Sequence, residues 1–336
     1  PEKKDSKQEN GVPKTKVQTG VAKALIKAKN EGLPVVGISS DLPSSTGTAA
    51  FHKEFPEHCI DVGVAEANMI SAGAGMSKVG LIPVVDTFAA FGVTKGNLPL
   101  IMASLSQAPI IGIFSHIGFQ DAADGASHQS TTYFAAVSSI PHVKVYCLSC
   151  ADEAEALVYE AIQTIAKDRE AGKDGESHIF FLGRENHPVH YGEHNRYNLD
   201  KAQVLEDGNQ ATVVATGGMV EKALQAASIL QDKGIEITVI NNNSVNHPDI
   251  ATISESLEKT CHRLITLEDH QITGGMGAML IHELVKTGNH NHLHVKNLGM
   301  SGEFGQSAYV AEQLYAKYEM DADAIVKAVE DFIGVK

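Results

Sequence analysis

The 336-residue sequence holds no tryptophan and only four cysteines. Cys59, Cys147, Cys150 and Cys261 are too few and too dispersed for a disulfide framework. Cys147-Leu-Ser-Cys150 has no second pair to complete a zinc site, so two buried thiols at a strand end are expected, with redox chemistry as the alternative. The cytoplasm is the expected compartment. No apolar run approaches the roughly 20 residues that cross a bilayer. Residues 1–16 are charged and polar, unlike a secretory leader. Positive charge is also short, with 27 Lys and Arg against 41 Asp and Glu and a formal net charge of −14. That balance disfavours a nucleic-acid backbone or an anionic membrane as partner. Aromatic residues make up only 6% of the chain, so an aromatic pair at the end of a strand stands out.

What is present is an alternation of short apolar runs and helical patterns in a chain long enough for two domains. Strands are expected at Pro34–Ile38, Cys59–Val64, Ile82–Asp86, Ile110–Phe114, Val143–Leu148 and His178–Leu182. Helices are expected at Val17–Asn30, Ala65–Val79, Thr94–Ser106 and Asp152–Asp168. The polar, turn-rich stretch Glu185–Asp200 breaks the pattern. A second series follows, with strands at Thr212–Ala215, Ile237–Ile240, Arg263–Leu267 and His292–Leu298. Its helices are expected at Val220–Lys233, Asp249–Lys259, Gly277–Lys286, Ser307–Tyr318 and Asp321–Phe332. The reading is an α/β chain of two consecutive, mostly parallel sheet domains with helices on both faces. Its parts are a flexible arm at 1–16, a first domain at 17–188, a linker at 189–203 and a second domain at 204–336.

Glu66 sits where a strand hands over to a helix rich in small residues (Ala67, Ala72, Gly73, Ala74, Gly75). A carboxylate at a closely packed junction is costly without a specific partner. The plain alternative is a first-turn acid that complements the helix dipole. Phe88 and Phe91 follow the next strand, at the carboxyl end of a sheet where ligands of open α/β folds bind. His116, Asp124 and His128 share one loop after the Pro109–Ser115 strand. Glycine turns at Thr216–Gly218 and Thr273–Gly275 could cradle an anion or merely turn the chain. His290, His292 and His294 alternate and could chelate a metal, but a histidine-rich turn is the expected reading. No phosphate-binding P-loop, dinucleotide fingerprint, nucleophile elbow or zinc-protease helix is present.

In order along the chain, these pieces resemble the transketolase family, specifically its pyrimidine-binding and C-terminal domains. Ser40-Asp41-Leu42 resembles the family's SADL segment, and Gly63-Val-Ala-Glu66 the element that bears its catalytic glutamate. Thr87-Phe88 resembles GGTF, and Asp124-Gly-Ala-Ser-His128-Gln129 resembles DGPTHQ. Ile140-Pro141 and Gly183-Arg184-Glu185-Asn186 resemble two further family segments. The resemblance implies transfer of a two-carbon ketol unit from a ketose phosphate to an aldose phosphate, with thiamine diphosphate as cofactor. Glu66 is then the carboxyl that hydrogen-bonds N1′ of the aminopyrimidine and promotes its imino form. Phe88 and Phe91 wall that ring, and Asp41 lies near the cofactor and the subunit contact. His128 moves protons near the reacting carbon and contacts the cofactor. His116 and Asp124 bind sugar hydroxyls or the distal phosphate, and Arg184 clamps that phosphate with Ser44 or Ser45.

The resemblance also marks what this sequence lacks. The family holds the diphosphate and its Mg²⁺ or Ca²⁺ through a GDG motif and a following NN. Asp207-Gly208-Asn209 reads instead as a linker turn, and Asn241–Asn243 falls in the wrong domain. No metal ligand is expected on this chain. A diphosphate-binding subunit is the expected partner, in an alpha2beta2 assembly, with a fragment of a longer chain as the alternative. Val17-Gln18-Thr19 shows no arginine where the family helps hold the substrate phosphate, which leaves a sulfonated or unphosphorylated ketose open. Thr94 replaces a family aromatic. Deoxyxylulose-phosphate synthase would carry arginines near His116 and Arg184 that are absent here. The beta subunit of a 2-oxo acid dehydrogenase lacks the Asp124–His128 spacing, and a non-catalytic scaffold has no use for the whole set.

Overall fold

A computed structural model of the chain describes residues 12–192, 196–288 and 292–334. Thirteen strands are found among them. They are β1 Lys14–Lys16, β2 Val35–Ser39, β3 Cys59–Asp61, β4 Ile82–Phe88, β5 Ile111–Ser115, β6 Val143–Leu148, β7 Ser177–Leu182, β8 Asn186–Pro188, β9 Gln203–Glu206, β10 Thr212–Ala215, β11 Thr238–Asn241, β12 Arg263–Gln271 and β13 His294–Met300. The first large sheet has the order β3-β2-β4-β5-β7-β6 and is wholly parallel. The second runs β13-β12-β10-β11-β9, with only β9 antiparallel.

Strands β2, β5 and β7 are buried along their whole length, as expected where helices cover both faces of a parallel sheet. Neighbouring residues on a strand point to opposite faces. Val84 accordingly joins a core with helices Gln18–Asn30 and Ala151–Glu170, and Val85 one with helices Glu66–Lys78 and Asn97–Leu105. This second core does not stop at the sheet. It runs on into Val214, Ile240 and Leu264 of the second sheet and Leu280 of helix Met276–Lys286. Backbone bonds from Cys147 N to Asn243 O (2.9 Å) and Val245 N to Val145 O (2.8 Å) stitch the same seam. Asn241 donates to the buried Glu153 at 2.8 Å, so the asparagine run serves the contact between the sheets.

Four expectations change. Strand β1 pairs with β8 through Lys14–Pro188, so the arm ends before residue 14; residues 1–11 lie outside the described residues. The strand expected to reach Val64 stops at Asp61, whose carboxylate accepts from Gly63 N at 2.9 Å and Asp41 N at 3.1 Å and turns the chain. The helix expected at Thr94–Ser106 is two, Ala89–Thr94 and Asn97–Leu105. Gly96 stands between them because a Cβ there would lie 2.2 Å from Gly92 O and 2.3 Å from Ile70 Cδ1. The helix expected from Ser307 begins at Ala311, since Ala308 N is bonded to Ala122 O on the first domain's loop.

The thiols of Cys147 and Cys150 are buried and free, with burial pushing Cys150 up to about 12. His294 opens β13, and His290 lies outside the described residues. No described helix is long and apolar enough to cross a membrane.

Candidate functional site

Strands of a parallel sheet release their chain at one edge. Here that edge carries Asp41 after β2, Glu66 after β3, Phe88 at the end of β4, His116 after β5 and Arg184 after β7. Strand β2 lies between β3 and β4, so successive connections leave it in opposite directions and open a crevice. Asp41 (φ 62°) and His116 (φ 64°) both adopt the left-handed conformation. Asp and His enter that region more readily than most residues, and such strain gathers at functional sites.

The loop beside Asp41 is fixed from below. Asp86, buried at the register partner of Ser39, accepts from Ser39 Oγ (2.9 Å), Thr46 Oγ1 (2.6 Å) and Thr48 Oγ1 (3.1 Å). Burial outweighs these three bonds and raises its carboxyl to about 6. Helix Pro43–Thr46, which carries Ser44 and Ser45, is thereby held against β4 and β5.

Four of the expected residues meet directly. The Phe88 and His116 rings lie 4.0 Å apart, Phe88 and Phe91 6.4 Å, and Phe91 meets His128 edge-on at 5.3 Å. His116 Nδ1 contacts Ser115 Oγ at 2.8 Å, and His128 Nδ1 contacts Ser127 Oγ at 3.0 Å. Burial first, then the Arg184 and Lys16 charges, push His116 down to about 4. Its imidazole is therefore neutral near pH 7 and can donate one hydrogen bond and accept another.

Arg184 lies beside this cluster. Its Nη1 donates to Asp121 at 2.6 Å, and Asp124 stands 3.7 Å away. Burial and the neighbouring Asp124 raise the Asp121 carboxyl, with Arg184 opposing them. Lys16, Arg184, Gln120, Glu185, Tyr309 and Val310 help line a cleft of about 290 Å³. Lys16 supplies the second cation that the first helix does not; it lies two residues before that helix and was missed because an arginine was sought. Asp121, Gln120 and Asp86 were also missed. A buried acid at the end of an apolar strand was the only signal for Asp86.

Glu66 begins helix Glu66–Lys78 and is 6% exposed. The helix approaches β4 at Gly73, where a Cβ would lie 3.0 Å from Val85 Cγ1. Among the described residues no side-chain hydrogen bond or ion pair reaches the Glu66 carboxyl, and its oxygens are not among the buried polar atoms closed off from water, so they are free to accept from a ligand. No hydrogen bond, ion pair or ring contact joins Glu66, Asp41, Ser44 or Ser45 to the aromatic–histidine cluster among the described residues; the shared edge is what relates them. An aminopyrimidine fits these surroundings, with the acid for its ring nitrogen and the exposed edges of Phe88 and Phe91 for its face. No group of three or more His, Cys, Asp or Glu among the described residues is placed to hold a metal ion.

The turn at Thr273–Gly275 proves to serve an internal carboxyl group, whose proton burial holds up to about 8. Glu268 accepts from Met276 N (2.5 Å) and Gly277 N (2.9 Å) at the start of helix Met276–Lys286.

Residues 14–171 match the model of the transketolase pyrimidine-binding domain, and residues 200–325 that of the transketolase C-terminal domain. A protein named as a transketolase C-terminal section from Methanocaldococcus jannaschii is 29% identical over 93% of this chain and 95% of its own length. A 1-deoxy-D-xylulose-5-phosphate synthase from Halothermothrix orenii is 26% identical over 90% of this chain, which spans 46% of that enzyme. A split-gene transketolase solved as an inactive beta4 tetramer superposes with a TM-score of 0.81, at 27% identity and with 96% of this chain and all of that one covered.

Proposed function

The chain belongs to the transketolase family, and from that premise we propose that it is the pyrimidine-binding subunit of a split transketolase. Paired with a diphosphate-binding subunit, it transfers a two-carbon ketol unit between sugar phosphates. The observation that carries this reading is the convergence at one sheet edge of Phe88, Phe91, His116 and His128 with a buried, unpartnered Glu66.

When bound, thiamine diphosphate supplies a carbon acid able to add to a ketose carbonyl. The chain's own residues do the rest. Glu66 holds a proton at the pyrimidine N1′, the bond its burial leaves unmade. Phe88 and Phe91 present apolar edges to the ring and exclude water from it. His128, at the open side of the cluster, exchanges protons with the sugar oxygens nearest the reacting carbon. Neutral His116 and Asp124 bind hydroxyls farther along the sugar. Arg184 and Lys16 hold the anionic end, with Ser44 or Ser45 assisting from the β2 side.

The partner supplies the ligands for the diphosphate and its metal. A landing surface for it lies beside Glu66, where Val64 (78% exposed), Leu98 (68%) and Leu105 (74%) leave helices Glu66–Lys78 and Asn97–Leu105 uncovered on their outer side. A neutral His116 at the end of β5 also favours ketol transfer over a deoxyxylulose-phosphate synthase, which would place arginine there.

Mixing the purified chain with a diphosphate-binding subunit, thiamine diphosphate and Mg²⁺ tests the proposal. Activity on mixing and none from the chain alone is expected; turnover by the chain alone would sink it. Arg184→Ala is expected to raise KM for phosphorylated acceptors at least tenfold more than for free sugars, measured by steady-state kinetics of the assembled enzyme.

A further inference from the structure

We infer that Asp269, a carboxylate of the second sheet, is a positioning residue for Arg184, acting through the successive residues Phe119, Gln120 and Asp121. Its effect on substrate rests on the reading of Arg184 as the anion clamp; its mechanical part stands on geometry alone.

Asp269 is buried near the end of β12. Both of its oxygens accept from Phe119 N at 3.0 Å, and Oδ2 also accepts from the Tyr315 hydroxyl at 2.6 Å. Gly118 makes this approach possible. It has φ +57°, and a Cβ there would lie 1.9 Å from Asp269 Cγ. One residue on, the buried Gln120 turns its Oε1 to accept from Arg184 N (2.7 Å) and Glu185 N (2.8 Å). Gly183 leaves room for this oxygen, since a Cβ there would lie 2.0 Å from it and push the amide away from Arg184 and Glu185. The next residue, Asp121, takes the guanidinium itself at 2.6 Å.

Three consecutive residues thus fix a backbone to the second sheet, then the backbone of Arg184, then its charged head. The guanidinium is half exposed on a long stem, and among the described residues only Asp121 and Asp124 pair with it. Without this chain of contacts its rotamers are free, and binding an anion would have to order them. The same segment is clasped a second time, by Gln129 Nε2 donating to Gln306 O at 2.9 Å and by Ala308 N donating to Ala122 O at 2.9 Å. The second domain therefore holds the loop that carries Gln120 and Asp121.

The test is residue-resolved hydrogen exchange on the full chain, followed by kinetics of the assembled enzyme. Asp269→Ala is expected to speed exchange at Phe119, Arg184 and Glu185 at least tenfold while β10 and β11 stay protected. Asp269→Asn keeps an acceptor for Phe119 and is expected to restore most of the protection. Gln120→Met, which keeps the Asp269 oxygens that accept from Phe119, is expected to release Arg184 and Glu185 but not Phe119. In the assembled enzyme, Asp269→Ala is expected to raise KM for ribose 5-phosphate severalfold and to leave KM for ribose and kcat unchanged. Unaltered exchange at Arg184 and Glu185, or a uniform loss of protection across the second sheet, overturns the inference. If Arg184→Ala leaves the preference for ribose 5-phosphate over ribose intact, the clamp reading fails, and the exchange result still decides the positioning claim.

Discussion

At the level of single side chains, Glu66 is where function and stability should separate. No described side chain bonds its carboxyl, so the isolated fold does not depend on the charge there. Glu66→Gln is expected to lower kcat of the assembled enzyme by about 100- to 1,000-fold or more. The melting temperature of the chain is expected to hold or rise, and a clear fall would show that Glu66 has an unrecognised structural partner. The buried titratable groups predict a pH profile. Burial keeps His116 and His270 neutral down to about 4, whereas in the unfolded chain they bind protons from about 6.5. Acidification through that window therefore favours unfolding. Burial holds the proton of Glu268 up to about 8 and that of Asp269 up to about 7. Their contribution is full below about pH 4 and is lost as pH rises through those values. Above about 6.5 the histidines fall silent, so stability is expected to decline towards pH 8.5, and Glu268→Gln is expected to flatten that decline in a series of thermal melts. Identical slopes would reassign it. The sequence disclosed Glu66, His116 and Arg184 because their types are unusual for their places. Asp121, Gln120 and Asp269 stayed hidden because what they do depends on which loops meet.

At the level of elements, periodicity located the buried strands well, since β2 and β5 are short, mostly apolar runs buried along their whole length. It failed where a long-range contact decides the outcome. Gly96 stands at the break between two helices, where a side chain would meet both Gly92 O and Ile70 Cδ1, the latter on another helix. The segment before Ala311 stays extended because Ala308 is bonded to Ala122. The helix pair Glu66–Lys78 and Asn97–Leu105 bears on assembly. A Leu98→Glu, Leu105→Glu double variant is expected to leave the melting temperature of the chain within a few degrees. It is expected to weaken binding of the diphosphate subunit at least tenfold in sedimentation or calorimetric titration, because two charges would be buried at the contact. Undiminished binding would move the partner to another face.

At the level of the whole molecule, the turn-rich stretch after Glu185 was legible as a boundary between two α/β units, but their union was not. Side chains from both sheets interleave in one core, and a sequence pattern carries no record of which apolar face meets which. The chain is expected to unfold in a single calorimetric transition despite its two sheets. A truncation to residues 12–199 is expected to aggregate, with the face around Phe134 and Val137 stripped of cover; two resolved transitions would contradict this. The shared core also settles how the crevice can admit its cargo. A core shared by the two sheets resists their swinging apart, and the mouth above His116 is held at its width by that packing. If the chain acts as proposed, breathing that admits substrate falls to the seam with the second polypeptide, and that partner becomes the gatekeeper of turnover.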